Sequence, residues 1–281
     1  MIVGPRSDYC KYLCNALCKS GRQLELIVYT NYSDNMKYAP KFRQVWKYGL
    51  SRFPFQILET LARDRPDIIH VHFEYNTFGL PGMTILLPLL LLLARIVTRN
   101  VIVTIHNVIP YKNERFIREL APKPFKSQIT LVKLGLIFIH VMISLFVSEV
   151  FVHANWLKEY LVSHYKFEFS KIHVLPHGVD DRVQKVSPIQ LEFWRKKTDG
   201  KKIILCFGSL TPRRGIEYLI EAFKVVVEKH RDHVLVIAGL ANPYYEDYVQ
   251  SIKLLIERLG ITKNVLMTGF INLESIHALH E

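Results

Sequence analysis

Short apolar runs alternate with segments of helical periodicity along the whole chain. Runs of strand length occupy residues 24–29, 67–73, 100–105, 150–153 and 203–207. Segments with the three- and four-residue spacing of amphipathic helices lie between these runs. Strands that alternate with helices in this way predict an α/β fold with a parallel, doubly wound sheet.

The stretch 201–222, KKIILCFGSLTPRRGIEYLIEA, joins one predicted strand to one predicted helix. Its apolar run is followed by a turn over residues 208–214, and Gly215 opens the helix. Arg213 and Arg214 therefore precede a helix N-terminus, where unpaired backbone N–H groups and the helix dipole favour anions. Adjacent guanidinium groups are bidentate donors to phosphate oxygens. The turn is predicted to hold a diphosphate, although local composition alone leaves solvated loop arginines as an open alternative.

Four motifs, in this order, resemble the retaining glycosyltransferases of family four: LPHGVD, FGSLTPRRGIEYLIEAF, LVIAG and VLMTGF, beginning at residues 175, 207, 235 and 265. The resemblance implies the GT-B architecture, in which two Rossmann-like domains with parallel sheets face a cleft. It also implies a nucleotide-sugar donor such as a UDP or GDP sugar, and hexosyl transfer with retention of anomeric configuration. In that chemistry the departing phosphate helps to deprotonate the acceptor, so no cofactor, metal or protein nucleophile is expected.

The resemblance also assigns residues that bind the donor. Arg214, directly before the helix glycine Gly215, is expected to grip the diphosphate. Family members usually carry a second Arg after the strand glycine, here Gly208, but this chain has Ser209 at that position. Either Arg213 takes over that role or phosphate binding is weaker. The expected nucleotide-sugar site is completed by Gly239, which follows a predicted strand, and by Gly4, which stands in place of the family's glycine-rich first turn.

Polar residues at the ends of two predicted strands are candidates for the reaction cleft. The sequence Thr-x-His that ends at His106 matches the motif with which family members bring a His to the transferred sugar, so His106 is the expected catalytic residue. The local sequence alone leaves open a strand-end His without chemistry. Ligands of open α/β sheets bind beyond the C-terminal ends of strands, which makes His72, Glu74 and Asn107 further cleft candidates. His70 and His72 share one face of a strand, but two histidines do not complete a metal site, and none is expected.

The predicted boundary separates residues 1–180, an N-terminal Rossmann-like acceptor-side domain, from residues 181–281, the start of a C-terminal Rossmann-like nucleotide-sugar domain. Family members carry two glutamates seven residues apart later in that second domain, and this sequence reaches residue 281 without such a pair. We therefore expect the second domain to be about half present, completed by a longer chain or a second polypeptide. A catalytically inactive scaffold or partner subunit of a split glycosyltransferase is one alternative. A nucleotide-sugar epimerase of the same architecture is the other.

The chain is strongly basic, with a formal net charge of +12 and a pI of about 9.5. This charge favours an anionic partner. Because no zinc-type cysteine pairing, recognition-helix pattern or RNA-binding aromatic signature occurs, nucleic acid is not expected. The expected partners are the nucleotide sugar and a glycan or lipid acceptor. The four cysteines do not form a disulfide framework, which favours a cytoplasmic location.

Two apolar segments, residues 83–94 and 131–146, are candidates for membrane contact. The first is shorter than the roughly 20 residues of a membrane span and contains Pro88, and a span in the second would interrupt the alternating fold. We expect peripheral attachment to the anionic cytoplasmic face of a membrane, through exposed leucines and a basic stretch. The basic stretch consists of Lys112, Arg115, Arg118, Lys123 and Lys126.

Overall fold

A computed structural model of the chain describes residues 2–3, 8–31, 41–47, 49–75, 77–79, 81–114, 117, 127–178, 186–240 and 245–280. The chain divides into two compact units, Met1–Asp180 and Asp181–Glu281. Each unit has its own sheet and its own hydrophobic core.

The first unit contains a seven-stranded sheet in which every described pairing is parallel. In chain order its strands are β1 (Ile2–Val3), β2 (Ile27–Thr30), β3 (Lys41–Gln44), β4 (Ile69–Phe73), β5 (Val101–Ile105), β6 (Glu149–Val152) and β7 (Ile172–Val174). Their order across the sheet is β3-β2-β1-β4-β5-β6-β7. The chain therefore winds outward in one direction from β1 and later in the other, as a doubly wound sheet does.

Helices of the first unit connect these strands and cover the sheet. They are α1 (Asp8–Lys19), α2 (Phe53–Asp64), α3 (Leu87–Val97), α4 (Ile129–Phe146) and α5 (Asn155–Tyr165). On one face of the sheet, Val103 of β5 packs in a common core with Leu61 of α2 and Leu161 of α5. Because side chains alternate along a strand, the opposite face of β4 and β5 carries the polar residues His72 and Thr104.

The second unit contains a three-stranded parallel sheet ordered β10-β9-β8. Its strands are β8 (Lys202–Phe207), β9 (His233–Ala238) and β10 (Val265–Gly269), and its helices are α6 (Pro188–Lys197), α7 (Ile216–Lys229), α8 (Glu246–Arg258) and α9 (Leu273–Ala278). The central strand β9 contributes to the cores on both sides. Leu235 and Ile237 pack with α7 and α8, whereas Val234 and Val236 pack with Trp194 of α6.

The parallel, strand–helix alternation predicted from the sequence is confirmed, with one omission. Strand β3, with the sequence KFRQ, was not predicted because three of its four residues are polar. It is the outermost strand of the sheet, where polar and charged side chains are normal and the apolar signal of a buried strand is lost.

The helix α4 is, within the described ranges, the one helix long and apolar enough to cross a membrane, and 28% of it is buried inside the protein. It connects β5 to β6, which pair directly in the same sheet, and it packs on the core through Ile139 and Ile143. Its outer face is apolar as well, since Leu131 and Leu134 are 62% and 57% exposed. The shorter apolar run forms a 3-10 turn and α3, which buries Leu87, Leu90 and Leu91 and exposes Leu92 and Ile96.

Candidate functional site

Four histidines lie at or beyond the C-terminal ends of four neighbouring strands of the first unit. His72 is in the last part of β4, His106 and His153 directly follow β5 and β6, and His177 lies beyond β7. The pairing of Ile105 with Val152 sets the register that brings His106 beside His153. The parallel strands thus carry residues that are distant in sequence to one edge of the sheet.

Three of these rings form a continuous chain of hydrogen bonds. His153 Nδ1 is 2.8 Å from the carbonyl oxygen of Leu175, which can only accept, so this nitrogen carries the proton. In the neutral ring, Nε2 of His153 then accepts from Nδ1–H of His106 at 3.0 Å. His106 Nε2 in turn accepts from Nδ1–H of His72 at 3.0 Å. This series of hydrogen bonds ends at Nε2 of His72, which is buried and has no hydrogen-bond partner in the described part of the structure.

Burial keeps these rings neutral at physiological pH. Loss of solvation lowers the pKa of His106 to about 4, with His153 and His177 adding to the effect. The same cause places the pKa of His72 well below its ordinary value, and burial also lowers the pKa of His153. Neutral imidazoles have one donor and one acceptor each, as the hydrogen-bond chain requires.

Tyr9 of α1 packs against the whole cluster. Its ring lies edge-on to the rings of His72, His106, His153 and His177, with centroid distances of 5.7, 5.0, 5.4 and 4.9 Å. The first turn of α1 therefore covers the strand ends on the polar face of the sheet. This contact was not predicted, because nothing in the local sequence of α1 indicates which strands it faces.

The other two cleft candidates lie close to the cluster in sequence. Glu74 directly follows β4 and is partly buried, and desolvation raises the pKa of its carboxyl group while nearby His177 opposes that rise. Asn107 follows His106 and is exposed. The ring nitrogens of His106, His153 and His177 lie within 4.8 Å of one another, so these three residues have the spacing of metal ligands.

The predicted donor turn of the second unit is held by close backbone contacts. Gly208 follows β8 with a φ of 135°, and a Cβ on it would lie 2.6 Å from Nη2 of Arg214. Arg214 therefore folds back over the end of β8. A Cβ on Gly239 would lie 1.8 Å from the carbonyl oxygen of Gly208, so this position excludes any side chain.

The helix N-terminus beside this turn differs from the sequence-based expectation. The first helical amide, that of Ile216, donates to Tyr248 Oη at 3.3 Å, and Tyr248 donates to the carboxylate of Glu217. This amide is therefore not free for a phosphate oxygen, and the expectation of unpaired N–H groups is wrong for it. Arg213 and Arg214 are exposed, and their guanidinium groups have no hydrogen-bond or ion-pair partner among the residues described. The guanidinium groups are the available donors here.

The structure thus groups the predicted residues in two places. His72, Glu74 and His106 lie at one sheet edge of the first unit. Gly208, Arg214 and Gly215 belong to the turn of the second unit, and Gly239 packs against Gly208. Ser209 is exposed within that turn, and Gly4 lies outside the described residues. Sequence reasoning missed Tyr9, His153, His177 and Tyr248. For His153 and His177 a signal existed, since His153 ends the predicted strand 150–153 and His177 lies within the LPHGVD motif.

Two family models match the chain. The model described as Glycosyltransferase Family 4 matches residues 7–183, and the one described as Glycosyl transferases group 1 matches residues 190–281. An uncharacterized glycosyltransferase of Methanocaldococcus jannaschii is 25% identical over 235 residues, which is 80% of this chain and 50% of that protein. The chain spans half or less of the length of the curated relatives that it matches.

Solved structures share the fold at low sequence identity. Sucrose-phosphate synthase from Thermosynechococcus elongatus has a TM-score of 0.68 and 17% identity, with coverage of 99% of this chain and 69% of that one. Anabaena HepE in complex with UDP-glucose has a TM-score of 0.64 and 17% identity, with coverage of 99% and 70%. These likenesses confirm the predicted α/β fold class of GT-B glycosyltransferases with Rossmann-like domains.

Proposed function

Because the chain belongs to Glycosyltransferase Family 4, we propose that it transfers a sugar from a nucleotide-sugar donor to a glycan or lipid acceptor, with retention of anomeric configuration. The observation that carries the proposal is the donor turn, where Arg214 lies against Gly208 at the C-terminal end of β8. The guanidinium groups of Arg213 and Arg214 are exposed there without a described partner. The complex of HepE with UDP-glucose supports a nucleotide sugar as the ligand class.

In the proposed reaction the arginines act on the leaving group. As the bond from the sugar to the diphosphate breaks, negative charge grows on the phosphate oxygens. Arg213 and Arg214 stabilise that charge by donating hydrogen bonds that strengthen in the transition state. The departing phosphate also accepts the proton of the acceptor hydroxyl, so no protein nucleophile takes part.

His106 is proposed to position the transferred sugar. Both of its ring nitrogens are engaged, one with His72 and one with His153, at 3.0 Å each. A sugar hydroxyl that reaches the ring must therefore replace one of these two bonds. The bond to His153 is the one to exchange, because His72 is fully buried and His153 is not. Such an exchange leaves His106 oriented by His72 while its Nδ1–H donates to the sugar.

The outer face of α4 and α3 is proposed to lie on an anionic membrane surface. It exposes Leu131, Leu134 and Leu145 of α4 together with Leu92 and Ile96 of α3. The formal charge of +12 complements anionic lipid headgroups. The basic stretch named from the sequence precedes α4, and of its residues Lys112 is described and the rest lie outside the described ranges. Apolar area combined with positive charge is what holds peripheral proteins on bilayers.

The donor proposal is tested by calorimetry with UDP, UDP-glucose and GDP. Arg214→Ala is expected to weaken diphosphate binding by about 1.5 to 3 kcal/mol, the range for hydrogen bonds to charged groups. Arg258→Ala is the matched control, because Arg258 is an exposed arginine at the end of α8, on the opposite edge of the same sheet. Equal affinity in the Arg214 variant and the wild type would refute the site, as would a wild type that binds none of the three nucleotides.

The membrane proposal is tested by sedimentation with vesicles. Wild-type protein is expected to pellet with vesicles that contain anionic lipid and to be released by salt, because salt screens charges over roughly 10 Å at 0.1 M. The double substitution of Leu131 and Leu134 by Gln should reduce pelleting, whereas Leu254→Gln, at an equally exposed leucine of the second unit, should not. Pelleting that survives high salt and alkaline wash would instead mean an inserted helix. Absence of pelleting would refute membrane attachment.

A further inference from the structure

Three of the strand-end histidines have a geometry that contact with a sugar does not require. The ligand nitrogens of His106, His153 and His177 all lie within 4.8 Å of one another. A tetrahedral zinc ion with Zn–N bonds of about 2.0–2.1 Å holds its nitrogens roughly 3.4 Å apart. Bringing all three nitrogens into one coordination sphere therefore requires the rings to move closer together, that of His177 most of all.

We propose that His106, His153 and His177 bind a divalent transition-metal ion of the zinc class, with His72 orienting His106 and a fourth position open to an exogenous ligand. Three imidazoles with one open position are a donor set that zinc favours. The proposal concerns metal binding and not a metal requirement for transfer, because a zinc ion on Nδ1 of His106 and a sugar that accepts a hydrogen bond from Nδ1–H of His106 exclude each other. It stands on the geometry of the first unit and does not depend on nucleotide binding by the second.

The ring of His153 is already arranged as a metal ligand. Its Nδ1–H donates to the carbonyl oxygen of Leu175 at 2.8 Å, so its Nε2 lone pair points into the cluster. Metal-bound histidines in proteins nearly always donate their second ring N–H to a carbonyl or carboxylate in this way. The end of β7 thus supplies the outer support that fixes the tautomer of His153.

Coordination by His106 requires a shift of protons along the hydrogen-bond chain. Nδ1 of His106, which donates to His153 in the described structure, must become a lone pair directed at the ion. The proton then resides on Nε2 of His106 and is donated to Nδ1 of His72. His72 is able to take this role because its Nε2 has no partner among the described residues and can carry the proton instead. His72 therefore supports either state of His106.

His177 is the ligand that must move most. Its ring stacks on that of His153 with a centroid distance of 3.7 Å, so the two in-plane lone pairs are not yet convergent. His177 is exposed and lies beyond β7, which gives its ring room to turn. The carboxyl group of Glu74 is close enough to His177 for that ring to oppose the rise in its pKa.

The test is a zinc titration of protein that carries no polyhistidine tag, after treatment with a chelator and its removal. Zinc in competition with a chromophoric chelator is expected to bind with one ion per chain in the wild type. His153→Ala and His177→Ala should each weaken zinc binding by at least about a hundredfold, since even loss of an outer partner costs 10- to 100-fold. Cobalt in place of zinc should give the visible absorption of a tetrahedral complex in the wild type and not in these variants.

Two control substitutions separate this site from adventitious binding and from misfolding. His173→Ala removes a half-exposed histidine of the same sheet that hydrogen-bonds Glu149, and it should leave zinc affinity unchanged. His72→Leu should weaken zinc binding by about 10- to 100-fold, and His72→Asn, which retains an acceptor for His106, should restore most of it. Circular dichroism checks the fold of each variant. The proposal fails if the wild type shows no saturable binding, or if His177→Ala, an exposed position where loss of fold is not expected, binds zinc as the wild type does.

Discussion

The donor turn of the second unit and the histidine cluster of the first both lie at the C-terminal ends of parallel strands, but they are assembled in opposite ways. The turn from Gly208 to Gly215 is one continuous segment that joins β8 to α7. The cluster takes one histidine from each of four strands, from His72 to His177. Close backbone contacts hold the donor turn, whereas hydrogen bonds between side chains hold the histidine cluster.

This difference determines what each site is sensitive to. In the donor turn, the carbonyl oxygen of Gly208 fills the space where a side chain of Gly239 would lie. A methyl group on Gly239 would therefore have no room. A change of pH should not affect this contact, because neither glycine has a group that titrates. In the first unit, side chains rather than close backbone contacts define the geometry, and buried histidines make it sensitive to protons.

Gly239→Ala is expected to disrupt the donor turn. The Cβ of the alanine would lie 1.8 Å from the carbonyl oxygen of Gly208. Relief of that clash requires the backbone to move at the end of β8, where the amide of Gly208 donates to the carbonyl oxygen of Ala238 at 2.9 Å. We expect a loss of at least about 3 kcal/mol in the free energy of unfolding of the second unit, the upper part of the range for overpacking. Urea unfolding followed by hydrogen exchange of the second-unit peptides measures it.

Gly260→Ala is the matched control for that prediction. Gly260 also has a positive φ, 67°, but a Cβ on it meets nothing within 4 Å. It should therefore cost only the strain of a left-handed backbone, about 1 kcal/mol. If the two substitutions have equal effects, backbone strain and not the contact with Gly208 explains the glycine at position 239.

Acidification is expected to destabilise the first unit through His140 of α4. This ring is fully buried, stacks on Tyr165 at 4.0 Å, and hydrogen-bonds Leu136 O and Tyr75 Oη. Burial lowers its pKa from 6.5 to about 4. Between these values the unfolded chain binds a proton that the folded chain does not, so stability is complete above the unfolded pKa and falls as pH falls. As the pH falls from the unfolded to the folded pKa, His140 alone lowers the free energy of unfolding by about 3 kcal/mol.

Pulsed hydrogen exchange after equilibration at about pH 7 and about pH 5 measures this loss separately in the two units. First-unit peptides should lose more protection, because none of the second unit's described histidines is buried. His140→Phe retains the stacking on Tyr165 and should reduce the dependence on pH, and His72 and His106, whose pKa values burial also lowers, account for part of what remains. His164→Phe, at a partly exposed histidine that stacks on Tyr160 at 4.1 Å, is the control for the substitution itself. Equal acid sensitivity of both units would contradict the contrast.

The donor turn was largely predictable from sequence because most of what defines it is contiguous, whereas the contact of Tyr248 with Ile216 comes from another segment and was missed. The apolar run before Gly208, the proline and arginines of the turn, and the helical spacing after Gly215 lie within one short stretch. The same holds for most strands and helices of both units. Strand β3 was missed because an outer strand does not need the apolar pattern on which the prediction rests.

The histidine cluster was only half predictable, because its geometry depends on strand register. His72 and His106 were recognised as strand-end residues, but their contact with His153 follows from pairings such as Ile105 with Val152. No local pattern encodes those pairings. The position of Tyr9 over all four rings depends in the same way on how α1 packs against the sheet. Residues that share a site but not a segment are the ones that single-sequence reasoning leaves unconnected.

The kinetic roles of the two sites should separate if the proposed function is right. His106→Ala should lower turnover by about a hundredfold, as removal of one positioned donor does, with little change in affinity for UDP-glucose. Arg214→Ala should weaken affinity for UDP as well as slow transfer. Release of UDP from UDP-glucose with a panel of acceptors, compared with calorimetry of the same variants, measures the split. Equal losses of turnover and affinity in His106→Ala would make His106 a structural residue.

The smallest expected effect concerns Ser209, where the resemblance predicted a second arginine. Ser209 is exposed beside the guanidinium of Arg214, so an arginine introduced there has room to reach the same phosphates. Ser209→Arg is expected to tighten UDP binding by about 0.5 to 1 kcal/mol, as an exposed charge pair does. Thr262→Arg adds the same charge before β10, at the opposite edge of the sheet, and controls for net charge. If both variants bind UDP equally well, an arginine at position 209 adds no phosphate contact. That result is expected if Arg213 already makes the second contact, so that Ser209 does not weaken phosphate binding.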